Sequence, residues 1–192
     1  MRTFRLVRLP ALLSTLIALL PAPSPAQTIE EKASLCAGCH GETGVPQAKM
    51  PVIWGQQQGY LYLQLRDFKS GARKNDVMNS IAASLERADM QELALYFSQK
   101  PWPNLGLPRA PADVAARALK VINSVVCTSC HQSGFQGDST QPRLAGQRQD
   151  YLQSSMLDFR NKTRLNNPGM TDFMLAISEQ DIADCAAYIA GF

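Results

Sequence analysis

Two pentapeptides, Cys36-Ala37-Gly38-Cys39-His40 and Cys127-Thr128-Ser129-Cys130-His131, repeat the pattern C-x-x-C-H in a chain of 192 residues that contains five Cys and two His. This is the pattern of covalent c-type haem attachment, in which two thiols add to the porphyrin vinyl groups and the adjacent imidazole reaches the iron from the proximal side. The reading is of two covalently bound haem c groups, held by Cys36 and Cys39 and by Cys127 and Cys130, with His40 and His131 as iron ligands. The motif also occurs in zinc sites and in thioredoxin-like redox pairs. A thioredoxin-like pair belongs at a strand-to-helix junction, whereas Glu30 to Leu35 and Ala112 to Val126 read as helix leading into each motif. One zinc site shared by both motifs leaves the duplication below unexplained.

The second motif follows the first by 91 positions, and the same offset keeps matching residues far beyond it. Pro51 pairs with Pro142, Gly55-Gln56 with Gly146-Gln147, Tyr60-Leu61 with Tyr151-Leu152, Asp67-Phe68 with Asp158-Phe159, Arg73 with Arg164, and Asn75 with Asn166. Beyond this the offset becomes 92, pairing Met78 with Met170, Asp89 with Asp181 and Tyr96 with Tyr188, which places a one-residue insertion around Pro168-Gly169. An internal repeat of this kind predicts two homologous domains in tandem, 27–100 and 112–192. The Pro-rich stretch 101–111 between them reads as a stiff linker, because proline fixes φ and removes a backbone donor. Each domain is small enough that an ordinary apolar core is marginal, and a covalently held haem supplies the missing apolar body.

The predicted fold class is all-α. Thr28 with Glu31 forms a capping box, Gln57 to Lys69 carries apolar residues at helical spacing and stops at Gly71, and Asp89 to Phe97 forms a further helix. Arg148 to Arg160 and Asp181 to Ile189, the latter capped by Ser178, are the counterparts. No stretch sustains a period of two.

The remaining axial position is found by elimination. Both His are used as proximal ligands, so Met is the next ordinary choice. A ligand shared by homologous domains should occupy equivalent positions. Met50, Met90, Met156 and Met174 align with Gln141, Ile182, Leu65 and Ala82, and only Met78 aligns with another Met, Met170. Met78 and Met170 are therefore the expected axial ligands, in polar loops 38 and 39 residues after their His. Met174 is the competitor in the second domain, and core packing is the alternative for both. Pro51 and Pro142 either offer a backbone carbonyl to the proximal imidazole N–H or serve as plain turns. Arg73 and Arg164 either pair with haem propionates or are solvated loop charges. The paired aromatics Tyr60/Tyr151, Phe68/Phe159 and Tyr96/Tyr188 read as core. Cys185 aligns with Leu93, so it is either buried core or, as the odd cysteine, a free thiol or one half of an intermolecular disulfide.

The N-terminus reads as a signal peptide, residues 1–26. Arg2, Arg5 and Arg8 precede an apolar stretch from Leu9 to Leu20, with a small-residue cleavage site at Ser24-Pro25-Ala26. The apolar stretch falls short of the ~20 residues needed to span a bilayer. Export fits the extracytoplasmic attachment of haem c and predicts a periplasmic protein. The full chain has 19 Lys+Arg against 16 Asp+Glu, and all three excess positive charges lie in that segment. The mature balance gives no electrostatic support for a nucleic-acid partner.

These residues resemble the cytochrome c4 family of dihaem proteins over nearly the whole mature chain. The resemblance is carried by the two C-x-x-C-H motifs, two G-Q-x-x-x-Y-L helices at Gly55 to Leu61 and Gly146 to Leu152, an F-K-x-G-x-R-x-N segment leading to Met78, and a final A-x-Y helix in each half. It implies two class I cytochrome c folds packed head to head with their propionate edges facing. It also implies electron transfer in the periplasm toward a terminal oxidase, with peripheral membrane association. Two departures stand out: Lys162-Thr163-Arg164-Leu165 replaces the Gly-containing loop, and Gln132 stands where the first half has Gly41.

The expected function is a dihaem electron carrier rather than an enzyme, working between a respiratory donor and a terminal oxidase or other redox protein. The alternative is the cytochrome subunit of a periplasmic dehydrogenase complex, of the flavocytochrome c sulfide dehydrogenase type. A dihaem peroxidase would need an open distal position on one iron.

Overall fold

A computed structural model of the chain describes residues 27–47 and 49–192. The expected signal segment lies outside the described residues. Among the described residues there are nine α-helices: α1 (Ile29–His40), α2 (Gln58–Ser70), α3 (Asp76–Ala83), α4 (Arg87–Ser98), α5 (Ala112–Ser124), α6 (Thr128–His131), α7 (Gln149–Arg160), α8 (Pro168–Leu175) and α9 (Glu179–Ala190), with a 3₁₀ turn at Ser133–Phe135. Among the described residues no strand is present, and no helix is long and apolar enough to cross a membrane.

The same packing scheme occurs twice. In the first half α4 packs on α1 and α2, and α3 on α2; in the second α9 packs on α5 and α7, and α8 on α7. Each half buries its own apolar cluster. One gathers Ala33, Leu61, Leu93, Ala94 and Phe97. The other gathers Ala118, Ile122, Phe135, Leu152, Ala186 and Ile189, extended by Phe159, Met174, Ile177 and Ile182. Charged pairs tie the first helix of each half to its last: Lys32 Nζ lies 2.5 Å from Asp89, and Arg117 Nε lies 2.6 Å from Asp184.

Local chemistry accounts for the helix ends. Thr28 and Glu31 exchange the two bonds of a capping box at α1, as do Ser178 and Asp181 at α9. Helix α2 ends at Gly71, whose φ of 76° is a conformation that costs glycine little. The halves differ at the motif. Helix α1 runs unbroken through Cys36–His40, whereas the second half breaks after α5 at Val126, φ 50°, and re-forms as the short α6.

Two expectations are corrected. Met78 and Met170 lie in the first turns of eight-residue helices, α3 and α8, not in loops. These helices were missed because eight residues are too few to display a period. The insertion lies earlier than Pro168-Gly169: Asn75 and Asn167 are the equivalent N-caps, 92 positions apart, so the extra residue falls at Leu165-Asn166.

Residues 101–111 carry no regular secondary structure. They are held against both halves: Trp102 passes so close to Gly55 that a Cβ there would lie 2.9 Å from its backbone nitrogen, and Pro108-Arg109 crowds Gly191 at 2.8 Å. The Arg143 guanidinium stacks 4.6 Å over the Trp102 ring, a cation–π contact.

Candidate functional site

His40 ends α1, which carries Cys36 and Cys39, and His131 ends α6, which carries Cys130 and has Cys127 as its N-cap; both histidines are buried, 7% and 6% exposed. His40 Nδ1–H donates to the Pro51 carbonyl at 2.8 Å, and His131 Nδ1–H donates to the Pro142 carbonyl at 3.1 Å. The carbonyl role, rather than a plain turn role alone, is what the structure gives these prolines. Such a bond fixes ring orientation and tautomer and leaves Nε2 free for a metal. Burial holds both imidazoles below the ordinary histidine value, with the carbonyl bonds acting in the opposite direction. Burial, with Cys39 nearby, pushes the Cys36 thiol up to about 11, and burial raises Cys127 as well.

Each Met sits three residues after an Asn N-cap. Asn75 Oδ1 accepts from the Met78 N–H at 3.0 Å, and Asn167 Oδ1 accepts from the Met170 N–H at 3.1 Å. The far end of each Met helix is held by a cation from the preceding helix. Lys69 Nζ donates to the carbonyls of Ala83 (3.3 Å) and Leu85 (2.5 Å), and Arg160 Nη1 donates to those of Met174 (3.1 Å) and Ile177. Lys69 and Arg160 are equivalent at the 91 offset, a signal present in the sequence but silent without the helices it caps. Met78 and Met170 are half-buried, while Met174 is 3% exposed and packed with Phe159, Ile177 and Ile182. Cys185 is likewise buried, its Sγ 3.9 Å from the Ala118 carbonyl, and burial pushes its thiol up to about 12.

Between the halves lies a polar network with two guanidiniums. Arg73 donates to Gln64 at 2.9 Å and to Tyr151 Oη at 3.0 Å; Arg164 donates to Gln64 at 2.9 Å, to Tyr60 Oη at 3.5 Å and to Ser155. Each also stacks on its own phenylalanine, Arg73 on Phe68 at 4.6 Å and Arg164 on Phe159 at 4.3 Å. Burial works against the charge on Arg73, but the phenol oxygens of Tyr151 and Tyr60 outweigh it and raise its pKa. Burial opposes ionisation of Tyr151 as well, and the two guanidiniums nevertheless bring its phenol below the ordinary value. Among the described residues neither guanidinium pairs with a carboxylate. A buried cation without an anion is costly.

These features fit haem c. Each half carries a Cys pair followed by a buried His whose Nδ1–H is taken by a proline carbonyl, and a Met in the first turn of an Asn-capped helix, and the interface adds cationic groups of the kind that pair with propionates. Among the described residues no three His, Cys, Asp or Glu side chains gather as a metal site.

Comparison with known proteins agrees. A family model described as cytochrome c matches residues 115–191. Over 187 residues the chain is 34% identical to cytochrome c4 of Pseudomonas aeruginosa, covering 92% of each protein. The chain belongs to the cytochrome c4 family. It is also 35% identical over 170 residues to the thiosulfate dehydrogenase electron acceptor of Stutzerimonas stutzeri, covering 82% of this chain and 79% of that one. The structure of reduced recombinant cytochrome c4 from Pseudomonas stutzeri superposes with a TM-score of 0.76 at 28% identity, over 85% of this chain and 96% of that chain. Membership in the cytochrome c4 family makes this an all-α electron-transfer cytochrome with covalently bound haem c.

Proposed function

We propose that the chain is a periplasmic dihaem electron carrier with one haem c in each of two domains, 27–100 and 112–192, joined by the linker 101–111. Cys36 and Cys39 attach the first haem and Cys127 and Cys130 the second; His40 with Met78, and His131 with Met170, are the axial pairs. The observation that carries this reading is the duplicated geometry: in both halves the His donates Nδ1–H to a proline carbonyl, and the paired Met follows an Asn cap.

Bound haem supplies a one-electron Fe(III)/Fe(II) couple in each half, and the thioether ligand favours the reduced state. The carbonyl bonds from Pro51 and Pro142 hold the imidazoles in one orientation, so little reorganisation accompanies electron transfer. Asn75 and Asn167 fix the first turn that presents each Met. Arg73 and Arg164, where the halves meet, would supply positive charge to propionates, while Met174 is buried in the core.

The donor is proposed to be a periplasmic respiratory donor or dehydrogenase, and the acceptor a terminal oxidase, with the carrier peripherally associated with the membrane. Similarity to a thiosulfate dehydrogenase electron acceptor favours a dehydrogenase of sulfur compounds as the donor, a role close to that of the cytochrome subunit in the flavocytochrome c sulfide dehydrogenase type. The test is the mass of the mature holo-chain followed by stopped-flow reduction with such a dehydrogenase. Two haem increments on a chain beginning near Gln27, with reduction of both haems, are expected. A single increment contradicts the dihaem reading, and failure of reduction contradicts the donor.

A further inference from the structure

The halves exchange one pair of buried side chains. Gln147 Nε2–H donates to the Val52 carbonyl at 3.0 Å, and the Val52 N–H donates back to Gln147 Oε1 at 2.8 Å. Gln56 Nε2–H donates to the Arg143 carbonyl at 2.9 Å, and the Arg143 N–H donates back to Gln56 Oε1 at 2.7 Å. Gln56 and Gln147 are equivalent at the 91 offset, as are Val52 and Arg143, so the four bonds form one two-fold-related clamp. Both glutamines are 3% exposed. Each Oε1 also accepts the next amide of its own chain, Gln57 N–H at 2.9 Å and Arg148 N–H at 3.0 Å, which fixes the carboxamide's orientation.

The clamp lands on the peptide groups that orient the proximal histidines. The Pro51 carbonyl and the Val52 N–H belong to one planar, resonance-linked unit. Its oxygen accepts from His40 while its N–H is given to Gln147 of the other half. The Pro142–Arg143 peptide stands in the same relation to His131 and Gln56. A hydrogen bond at the N–H end of an amide adds negative charge to its oxygen, and linked hydrogen bonds in a buried site polarise one another. A stronger acceptor at Nδ1–H makes the imidazole a more basic ligand, which favours the more positive state of the metal.

We propose that each half tunes the reduction potential of the other half's haem: Gln147 is a positioning residue for the haem ligated by His40, and Gln56 for the one ligated by His131. This rests on the dihaem reading above. Its signature is crossed, because a change in one half moves the potential in the other.

The test uses holo-protein carrying Gln147→Met or Gln56→Met, which keep side-chain length and remove both hydrogen-bonding atoms. Haem content is read first from the mass. The two potentials then come from redox titration followed by NMR, each haem's signals being assigned through its thioether cysteines. In Gln147→Met the potential of the haem at Cys36 and Cys39 rises more than that of the haem at Cys127 and Cys130; Gln56→Met gives the reverse order. A merely structural role loosens the half that bears the substitution, so a shift confined to that half, an equal shift of both haems or no shift overturns the proposal. Where Gln147→Met yields no folded holo-protein, Gln147→Glu decides, since its carboxylate is a stronger acceptor for Val52 N–H. The first haem's potential then falls, and a rise or no change overturns the proposal. Wild-type protein with fewer than two haems contradicts the dihaem reading itself, whereas two haems with uncrossed shifts contradict the cross-half assignment alone.

Discussion

Lys162 occupies the backbone position that Gly71 holds in the first half. Its φ is 59° against 76°, and its N–H reaches the Phe159 carbonyl at 3.2 Å just as the Gly71 N–H reaches that of Phe68 at 3.2 Å. The loop path is shared: the backbone N–H groups of Arg73 and Arg164 donate to the backbone carbonyls of Asp67 and Asp158, both at 3.0 Å. The second half therefore places a lysine in the left-handed conformation without altering the turn. Relief of that conformation in Lys162→Gly stabilises the second half by about 1 kcal/mol. Gly71→Ala, where nothing lies within 4 Å of an added Cβ, costs the first half a similar amount. Chemical denaturation of the holo-protein reads both signs, and destabilisation by Lys162→Gly contradicts the assignment.

The Asn caps tie stability to ligation. Asn75→Ala and Asn167→Ala each remove an acceptor for a Met amide, at a cost of about 1 kcal/mol. With the first turn frayed, the corresponding Met is released more readily. The expected result is a carbon monoxide-binding fraction confined to one of the two haems, measured by difference spectroscopy of the reduced variant. Unchanged carbon monoxide reactivity separates the caps from ligation.

Gly59 lies in the first turn of α2, a place where alanine is ordinarily preferred by about 1 kcal/mol or less. Here an added Cβ would stand 2.7 Å from the Ser139 carbonyl of the other half. Gly59→Ala therefore destabilises instead of stabilising, and it weakens the coupling between halves. Calorimetry of the holo-protein should show a lower and broader transition than wild type.

Arg117 holds the Asp184 carboxyl below the usual carboxylate range, with Gln180 assisting through a 3.0 Å bond against the opposing effect of burial. A carboxylate depressed in the folded state contributes stability that is present above its unfolded value, about 3.9, and lost as pH falls through the folded value below it. Thermal stability should fall in acid, and Asp184→Asn should flatten that limb of the profile while lowering stability at neutral pH. An unchanged acid limb contradicts this pair as a contributor.

Part of the candidate site was legible because duplication acts as a filter. Of six Met only Met78 and Met170 recur at equivalent positions, which is why alignment points to them as the expected ligands. The same filter put Pro51 and Pro142 within reach as histidine acceptors. Helices α3 and α8 escaped because their signal is a cap rather than a period, and in the second half the adjacent Asn166 and Asn167 offer two candidate caps. Choosing Asn166 as the equivalent of Asn75 moved the insertion downstream. The glutamine clamp escaped for a different reason: Gly-Gln is visible in both halves, but a bond between residues 95 positions apart leaves no local trace.

The most direct test of the two axial pairs is the far-red sulfur-to-iron absorption band of the oxidised holo-protein, normalised to haem content and compared among wild type, Met78→Ala and Met170→Ala. The account predicts the band at full strength for two haems in wild type, half strength in each single variant, and no change in Met174→Leu. A band that keeps its full strength in Met78→Ala or Met170→Ala, or that weakens in Met174→Leu, contradicts it.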